Sequence, residues 1–132
     1  MYYWDWKKLE WPNNLIAAVL GEEYLDREQP KDLLPSIHYV VSALPDRVAF
    51  VIFQRFKYGK TLQEVAELIG CTNRESARYL QDCGLRLLRH PSRSKYFKLG
   101  IGGVQRESDE IIRRINALDY SLKEDNNESE CV

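Results

Sequence analysis

Patterns that indicate a membrane protein, a disulfide-linked secreted domain or a zinc protein are missing from this sequence of 132 residues. No uninterrupted apolar run reaches the roughly 18–20 residues that a membrane-spanning helix needs, and the N-terminus has no signal-peptide pattern. The three cysteines, Cys71, Cys83 and Cys131, are odd in number and lack CxxC spacing, which argues against disulfides and zinc. We therefore expect a cytoplasmic protein that contacts no membrane and needs no cofactor.

Arrangements that carry catalysis are missing as well. The sequence offers no Ser/His/Asp or Cys/His arrangement, no supported carboxylate pair and no glycine-rich phosphate loop after a strand. The histidines His38 and His90 stand alone, so we assign neither to a metal or catalytic site. "GIGG" (100–103) follows no strand, and we interpret it as a flexible joint instead of a phosphate cradle. We expect that the protein is not an enzyme.

Charge is distributed unevenly although the net charge is only −1. Residues 74–98 contain seven lysines and arginines against two acidic residues, whereas residues 105–132 contain four against eight. The basic block culminates in "RLLRHPSRSK" (86–95). A local excess of this kind can form an electrostatic footprint for nucleic acid, but a solvated helix face would have the same composition.

Hydrophobic periodicity predicts an all-α fold. Apolar spacing indicates a helix from Leu15 to about Arg27, and a shorter helix between Pro35 and Pro45. Residues 46–56 include six consecutive apolar residues that fit either a buried strand or a buried helix. Because the sequence offers no partner strand, we favour the helix. Residues 1–43 are then a helical segment packed on the rest of the domain.

The segment from 61 to 91 has the pattern of two capped helices joined by a tight turn. "TLQE" (61–64) and "TNRE" (72–75) both fit the capping box, and Gly70 is a good C-terminal stop. The second helix has a predicted buried face and closes at Pro91. A short helix, a glycine turn and a longer cationic helix describe a helix-turn-helix, whose second helix lies in the major groove of DNA. The predicted buried face consists of Ala77, Leu80, Gly84, Leu87 and Leu88.

The two ends of the chain allow more than one interpretation. Five large aromatic side chains within residues 1–11 either cap the core or form an exposed docking surface. Residues 104–122 predict an amphipathic helix that either folds back on the domain or pairs with a partner helix. The remaining residues, 123–132, are acidic and are expected to be disordered.

Residues 44–97 resemble region 4 of the primary sigma factors of bacterial RNA polymerase. The resemblance is carried by "TLQEVAELIG" (61–70) and above all by "LRLLRHPSRS" (85–94). It implies a small all-α domain with a sigma region 4-like helix-turn-helix (44–99) that contacts promoter DNA. Nothing in the chain resembles the sigma regions that bind the −10 element.

The resemblance also implies roles for individual residues. Side chains at the start of the second helix are expected to contact base edges, because arginine can bond guanine and glutamate can accept a hydrogen bond from cytosine. One member of the group given next, Arg78, corresponds to an arginine that contacts phosphate in the family. The implied base-reading residues are Arg74, Glu75, Arg78 and Tyr79. Contacts to the DNA backbone, which fix register without reading sequence, are implied for Arg55, Thr61, Leu62, Arg86, Arg89, Arg93 and Lys95.

Three departures separate this chain from the family pattern. The turn has one extra residue somewhere in 71–73, Tyr79 replaces a glutamine, and Cys83 replaces a lysine. We align the second helix with the family pattern from its C-terminal end, because that alignment places Ala77 and Gly84 on the buried face. The sequence that the helix reads therefore need not be the standard −35 hexamer.

Two functions are compatible with these features. The first is a transcription factor that itself reads promoter or operator DNA. The second is an adaptor that binds the β flap of RNA polymerase core, as one half of a split sigma with a separate sigma subunit or as a sigma mimic. For the adaptor, the candidate docking residues are Val48–Phe53, Phe56, Tyr96 and Phe97.

Overall fold

A computed structural model describes residues 8–125 of the chain and the side chains of residues 8–118. These residues form helices and no strands, which confirms the predicted all-α fold. No helix in the described part is long and apolar enough to span a membrane. The helices are α1 (Asn13–Leu20), a 3-10 helix (Glu22–Asp26), α2 (Leu33–Ser42), α3 (Asp46–Ile52), a π-helical turn (Phe53–Lys57), α4 (Leu62–Leu68), α5 (Arg74–Arg89) and α6 (Pro91–Asp125).

The main core lies between α1, α2, α3, α5 and the beginning of α6. α1 is central to it, because all six residues from Asn14 to Val19 are buried, as expected for a helix that is apolar on nearly every side. Large side chains from five other elements complete this core, so the N-terminal helices share it with α3 and α5. The fully buried ones include Ile37, Ile52, Phe56, Leu88 and Phe97.

The first predicted helix ends earlier than its apolar pattern suggested. α1 stops at Leu20 because Gly21 adopts a φ of 101°, a conformation that only glycine enters readily. The 3-10 helix that follows carries Tyr24 and Leu25, which pack against the edge of the core. The prediction of one helix to about Arg27 was therefore wrong.

Residues 46–56 are helical, as favoured, and not a strand. The helix widens at its end into the π-helical turn, where the Tyr58 amide bonds the Phe53 carbonyl at 3.1 Å. The buried Asn14 side chain donates a 2.8 Å hydrogen bond to the Phe56 carbonyl, and its own Oδ1 accepts from the Leu15 amide at 2.7 Å. The first bond attaches α1 to the π-helical turn, and the second, within α1, orients the Asn14 side chain.

The "GIGG" segment interrupts α6 at Gly100, where φ is 74° and ψ is 170°. The break divides α6 into a first segment (91–99) and a second segment (101–125). Two side chains of the α2 region bond the amides exposed by the break: Ser36 Oγ accepts from Ile101 at 2.7 Å, and Asp32 Oδ2 accepts from Gly102 at 2.8 Å. The predicted joint is thus present, but these hydrogen bonds hold it against α2.

The described helices extend beyond the predicted domain limits at the C-terminus. The second segment of α6 includes the predicted helix 104–122 and also residues 123–125, which begin the predicted acidic tail. The rest of that tail, and all of the N-terminal aromatics except Trp11, lie outside the described residues. Trp11 packs on the core, 6.2 Å from the Phe53 ring and 5.8 Å from the His38 ring, measured between centroids.

Candidate nucleic-acid interface

α4 and α5 pack through a small apolar cluster that is separate from the main core. Its buried members are Val51, Val65, Ala66 and Ala77. The turn between the helices closes on Gly70, whose φ is 78°. The Cys71 amide bonds the Ala66 carbonyl at 2.8 Å and the Gly70 amide bonds the Glu67 carbonyl at 3.1 Å. This bonding pattern is the Schellman motif, so the glycine stop predicted from the sequence is confirmed.

The predicted capping box of α4 is confirmed. Thr61 Oγ1 accepts from the Glu64 amide at 3.1 Å, and Glu64 Oε1 accepts from the Thr61 amide at 2.9 Å. Hydrogen bonds from the Thr61 amide and side chain hold the pKa of Glu64 below its usual value. The start of α4 is therefore fixed by two reciprocal bonds.

The predicted capping box of α5 is wrong. Asn73, not Thr72, is the N-cap, and its Oδ1 accepts from the Glu75 amide at 2.9 Å. Asparagine is among the strongest N-cap residues, and here it begins the helix one residue later than a Thr72 cap would. Arg74 and Glu75 consequently occupy the first turn of α5.

One side of α5 is buried against α3, α4 and α1, and the other is open to solvent. Ala77, Gly84 and Leu88 are buried as predicted, whereas Leu80 and Leu87 are only partly buried. Gln81 and Leu85 are buried in addition. The four residues implied in base reading are all exposed, and Tyr79 has 67% of its surface accessible. They are Arg74, Glu75, Arg78 and Tyr79.

Gly84 allows α5 and α3 to approach closely. A Cβ at this position would lie 2.7 Å from two side-chain carbons of Ile52 and 2.9 Å from one of Val48. Both neighbours are buried, so neither has open space to move into. The glycine therefore sets how far α5 stands from α3.

A cleft of about 280 Å³ lies where the starts of α4 and α5 come together. Three of its lining residues, Arg55, Thr61 and Leu62, are implied DNA-backbone contacts, and Arg74 is an implied base-reading residue. Gln63 completes the lining. Residues from the π-helical turn, α4 and α5 thus meet at one concave surface beside the exposed face of α5.

Arg55 is held in this cleft by two short hydrogen bonds. Its Nε donates to Gln81 Oε1 at 2.7 Å, and its Nη1 donates to the Lys60 carbonyl at 2.7 Å. Burial lowers the pKa of Arg55, although an arginine stays charged at any physiological pH. Sequence reasoning missed Gln81; the available signal was a polar residue within the apolar stripe of α5.

Arg89 is turned toward the protein interior. Its Nη2 and Nε donate to the Ala18 carbonyl at 2.8 and 3.2 Å, which joins the end of α5 to the last turn of α1. The charge also favours that position, because a helix C-terminus carries partial negative charge. The basic block is therefore divided: Arg86 is exposed on α5, while Arg93 and Lys95 are half-buried on the first segment of α6.

"HPSRS" forms a sharp connection between α5 and α6. His90 Nδ1 accepts from the Ser92 amide at 3.2 Å and lies 2.8 Å from Ser92 Oγ. The His90 carbonyl accepts from the amides of Arg93 and Ser94. His90 therefore has a local structural role, and no cluster of metal-ligating side chains occurs among the described residues.

Most of the candidate polymerase-docking residues belong to the core. Val48, Ala49, Val51, Ile52, Phe56 and Phe97 are all buried. Phe50 is 39% exposed, and Phe53 and Tyr96 are half-buried. Comparison of the chain with protein-family models, with curated proteins and with solved structures gives no match.

Proposed function

We propose that the protein is a transcription factor that binds double-stranded DNA, with α4 and α5 as a sigma region 4-like helix-turn-helix. The start of α5 enters the major groove and reads base edges. The cleft beside it receives the DNA backbone. The target is promoter or operator DNA.

The observation that carries this proposal is the cleft that joins Arg55, Thr61 and Leu62 to Arg74. These residues were assigned to DNA contact from the sequence alone, and they are separated by as many as 19 positions along the chain. A helix-turn-helix needs backbone contacts beside its base-reading turn, because phosphate contacts position the helix and base contacts specify the site. Their convergence supports one continuous DNA-contacting surface.

The charge on this surface supports the same function. Arg74, Arg78 and Arg86 are exposed on α5, and the only acidic residues on that helix are Glu75 and Asp82. Arg55 is already oriented by Gln81 and Lys60, so little conformational entropy remains to be lost when it binds phosphate. Cations arranged in this way favour a polyanion over a neutral partner.

Direct DNA binding is better supported than the adaptor function. The adaptor needs an apolar docking surface, and most of the residues suggested for it are buried in the core. Sequences bound from a random DNA pool should therefore be enriched by the purified protein alone. Enrichment only in the presence of RNA polymerase core would support the adaptor instead.

Salt dependence tests the electrostatic part of the proposal. If about four to six phosphates are neutralised, the logarithm of the association constant should fall with the logarithm of the salt concentration with a slope of about −4 to −5. The measurement is fluorescence anisotropy on the selected site at several salt concentrations. A flat dependence, or no DNA binding with or without core polymerase, would refute the proposed function.

A further inference from the structure

Tyr79 is an unpartnered aromatic side chain on the open side of α5. Its exposed fraction, 67%, is the highest among the large apolar side chains in the described part of the chain. It makes no hydrogen bond and no ring contact with another described residue. Covering such a ring removes apolar surface from water, and a tyrosine loses little conformational entropy when it binds. The ring is therefore suited to contact whatever lies along α5.

Tyr79 lies one turn beyond the start of α5. Residues three and four apart on a helix are neighbours, so Glu75 and Asp82 flank Tyr79, and both of these carboxylates are exposed. A helical side chain leans toward the N-terminus of its helix, which brings the ring of Tyr79 toward Glu75. The ring thus belongs to the end of α5 that enters the major groove in the proposed complex.

The charges around Tyr79 indicate which part of the DNA it meets. The exposed arginines of α5 attract the polyanion as a whole. Phosphate groups repel the two carboxylates that flank Tyr79, whereas the amino group of a cytosine in the major groove can donate a hydrogen bond to a carboxylate. The strip of α5 that contains Glu75, Tyr79 and Asp82 therefore faces base edges better than it faces phosphates.

The chemistry of the base edges selects one partner for the ring. The major groove offers one apolar substituent, the C5-methyl group of thymine. Against the other base edges, the ring would cover donors and acceptors without replacing their hydrogen bonds to water. The single hydroxyl of tyrosine cannot form the two bonds with which an amide side chain recognises adenine. A thymine methyl group is therefore the part of the groove that fits Tyr79.

We propose that Tyr79 is a specificity-determining residue that packs its ring on the methyl group of a thymine in the major groove. The contact rests on the proposed function, because it needs α5 in the groove of double-stranded DNA. It selects thymine over cytosine, whose C5 carries no methyl group. The DNA sites of this protein then include one thymine whose methyl group contributes affinity only while the ring of Tyr79 is present.

The test uses a duplex site that the purified protein has selected from a random DNA pool. Each thymine of that site is replaced in turn by deoxyuridine, which lacks the methyl group and keeps every hydrogen-bonding group. Fluorescence anisotropy at fixed salt measures the affinity for each duplex. The wild-type protein should bind about fourfold more weakly when one particular thymine is replaced, which is the loss expected for one buried methyl group.

Two substitutions distinguish the ring of Tyr79 from its hydroxyl group. Tyr79→Ala should bind the thymine and deoxyuridine duplexes equally, because the ring is absent. Tyr79→Phe should keep the fourfold difference, because the ring remains. Comparing the variants on the same two duplexes removes any effect of the methyl group on the DNA itself. Loss of the difference in Tyr79→Phe would mean that the hydroxyl group makes the contact, which would overturn the apolar one.

Tyr39→Ala is the matched control. It removes a tyrosine that is 55% exposed on α2 and whose ring lies 5.4 Å from that of Tyr96. The response of this variant to deoxyuridine should equal that of the wild type. Thermal unfolding checks each variant before binding is measured. Because the ring of Tyr79 contacts no other described ring, Tyr79→Ala should stay folded.

Failure of the thymine contact and failure of the proposed function give different results. A wild-type protein that binds its selected duplex but responds to no deoxyuridine would overturn the thymine contact and leave DNA binding intact. A difference that persists in Tyr79→Ala would do the same. If no sequence is enriched from the pool, the proposed function fails and the thymine contact fails with it.

Stacking of the ring on an unpaired base is the competing role for an exposed aromatic residue beside arginines. It predicts tighter binding to a single strand of the selected site than to the duplex, and loss of that preference in Tyr79→Ala. The thymine contact predicts tighter binding to the duplex. A preference for the single strand that depends on Tyr79 would overturn the thymine contact.

Discussion

The guanidinium of Arg89 donates two hydrogen bonds to the carbonyl oxygen of Ala18, across 71 positions of sequence. The resemblance assigned Arg89 to the DNA backbone, and that assignment remains a prediction. The contact with Ala18 gives the residue a structural role besides it. The two roles make different predictions for stability and for DNA affinity.

Replacing Arg89 with alanine should lower the free energy of unfolding by about 1–2 kcal/mol, because hydrogen bonds to a charged group are among the stronger ones. The exposed Arg86→Ala is the matched control and should change it by less than about 0.5 kcal/mol. Urea denaturation measures both. An unchanged stability for Arg89→Ala would mean that the contact with Ala18 contributes nothing measurable.

Substitution of Arg74 tests whether this residue contacts a base edge. Arg74→Ala should cost about 1–3 kcal/mol on the preferred site and far less on scrambled DNA, since a bidentate base contact discriminates between sequences. Arg106→Ala removes an exposed arginine from the second segment of α6 and should leave both affinities unchanged. If Arg74→Ala weakens both DNAs equally, Arg74 contacts phosphate and the assumed register through residues 71–73 is off by one.

The cap of α5 can be identified by two neighbouring substitutions. Asn73→Ala should lower the free energy of unfolding by about 0.5–2 kcal/mol, because it removes the acceptor for the Glu75 amide. Thr72→Ala should have a much smaller effect. Thermal unfolding distinguishes the two variants, and a larger loss for Thr72→Ala would restore the cap expected from the sequence.

For Gly84→Ala, helix propensity and packing predict opposite changes in the free energy of unfolding. Alanine is favoured over glycine inside a helix by about 1 kcal/mol, yet the new Cβ would collide with Ile52 and Val48. Overpacking of a core costs about 1–3 kcal/mol, so we expect Gly84→Ala to be destabilised in urea. A stabilised variant would show that α3 and α5 can separate without cost.

His38 should make stability depend on pH. Burial first, and the charge of Lys57 second, hold the pKa of His38 below 6.5 in the folded protein; Lys57 Nζ lies 3.4 Å from its ring. The unfolded chain then binds more protons, so the free energy of unfolding falls as the pH drops through about 6.5. Unfolding curves at several pH values should show this slope in wild type and a smaller one in His38→Gln. Equal slopes in the wild type and in His38→Gln would contradict this role of His38.

Local signals in the sequence were sufficient to predict much of the structure of the α4–α5 region. The capping box at Thr61 and Glu64 and the stop at Gly70 depend on residues within one helical turn, so their bonds follow from the order of the residues. The position of the α5 cap was missed by one residue, because Thr72 and Asn73 are both good caps. Only the backbone conformation decides between them.

Contacts between distant residues could not be predicted in the same way. The bond between Arg55 and Gln81 joins positions 26 apart, and nothing near either residue indicates the other. The break at Gly100 was visible as a glycine-rich segment, but its attachment to Asp32 and Ser36 was not. These bonds depend on how the helices pack, and packing reflects the whole chain.

The attachment of the Ile101 and Gly102 amides to α2 has a consequence for the direction in which the chain continues. Because Ser36 and Asp32 accept hydrogen bonds from these first amides after the break, the second segment of α6 leaves the domain at an angle that α2 sets. A substitution that removes either acceptor would let that segment turn about Gly100.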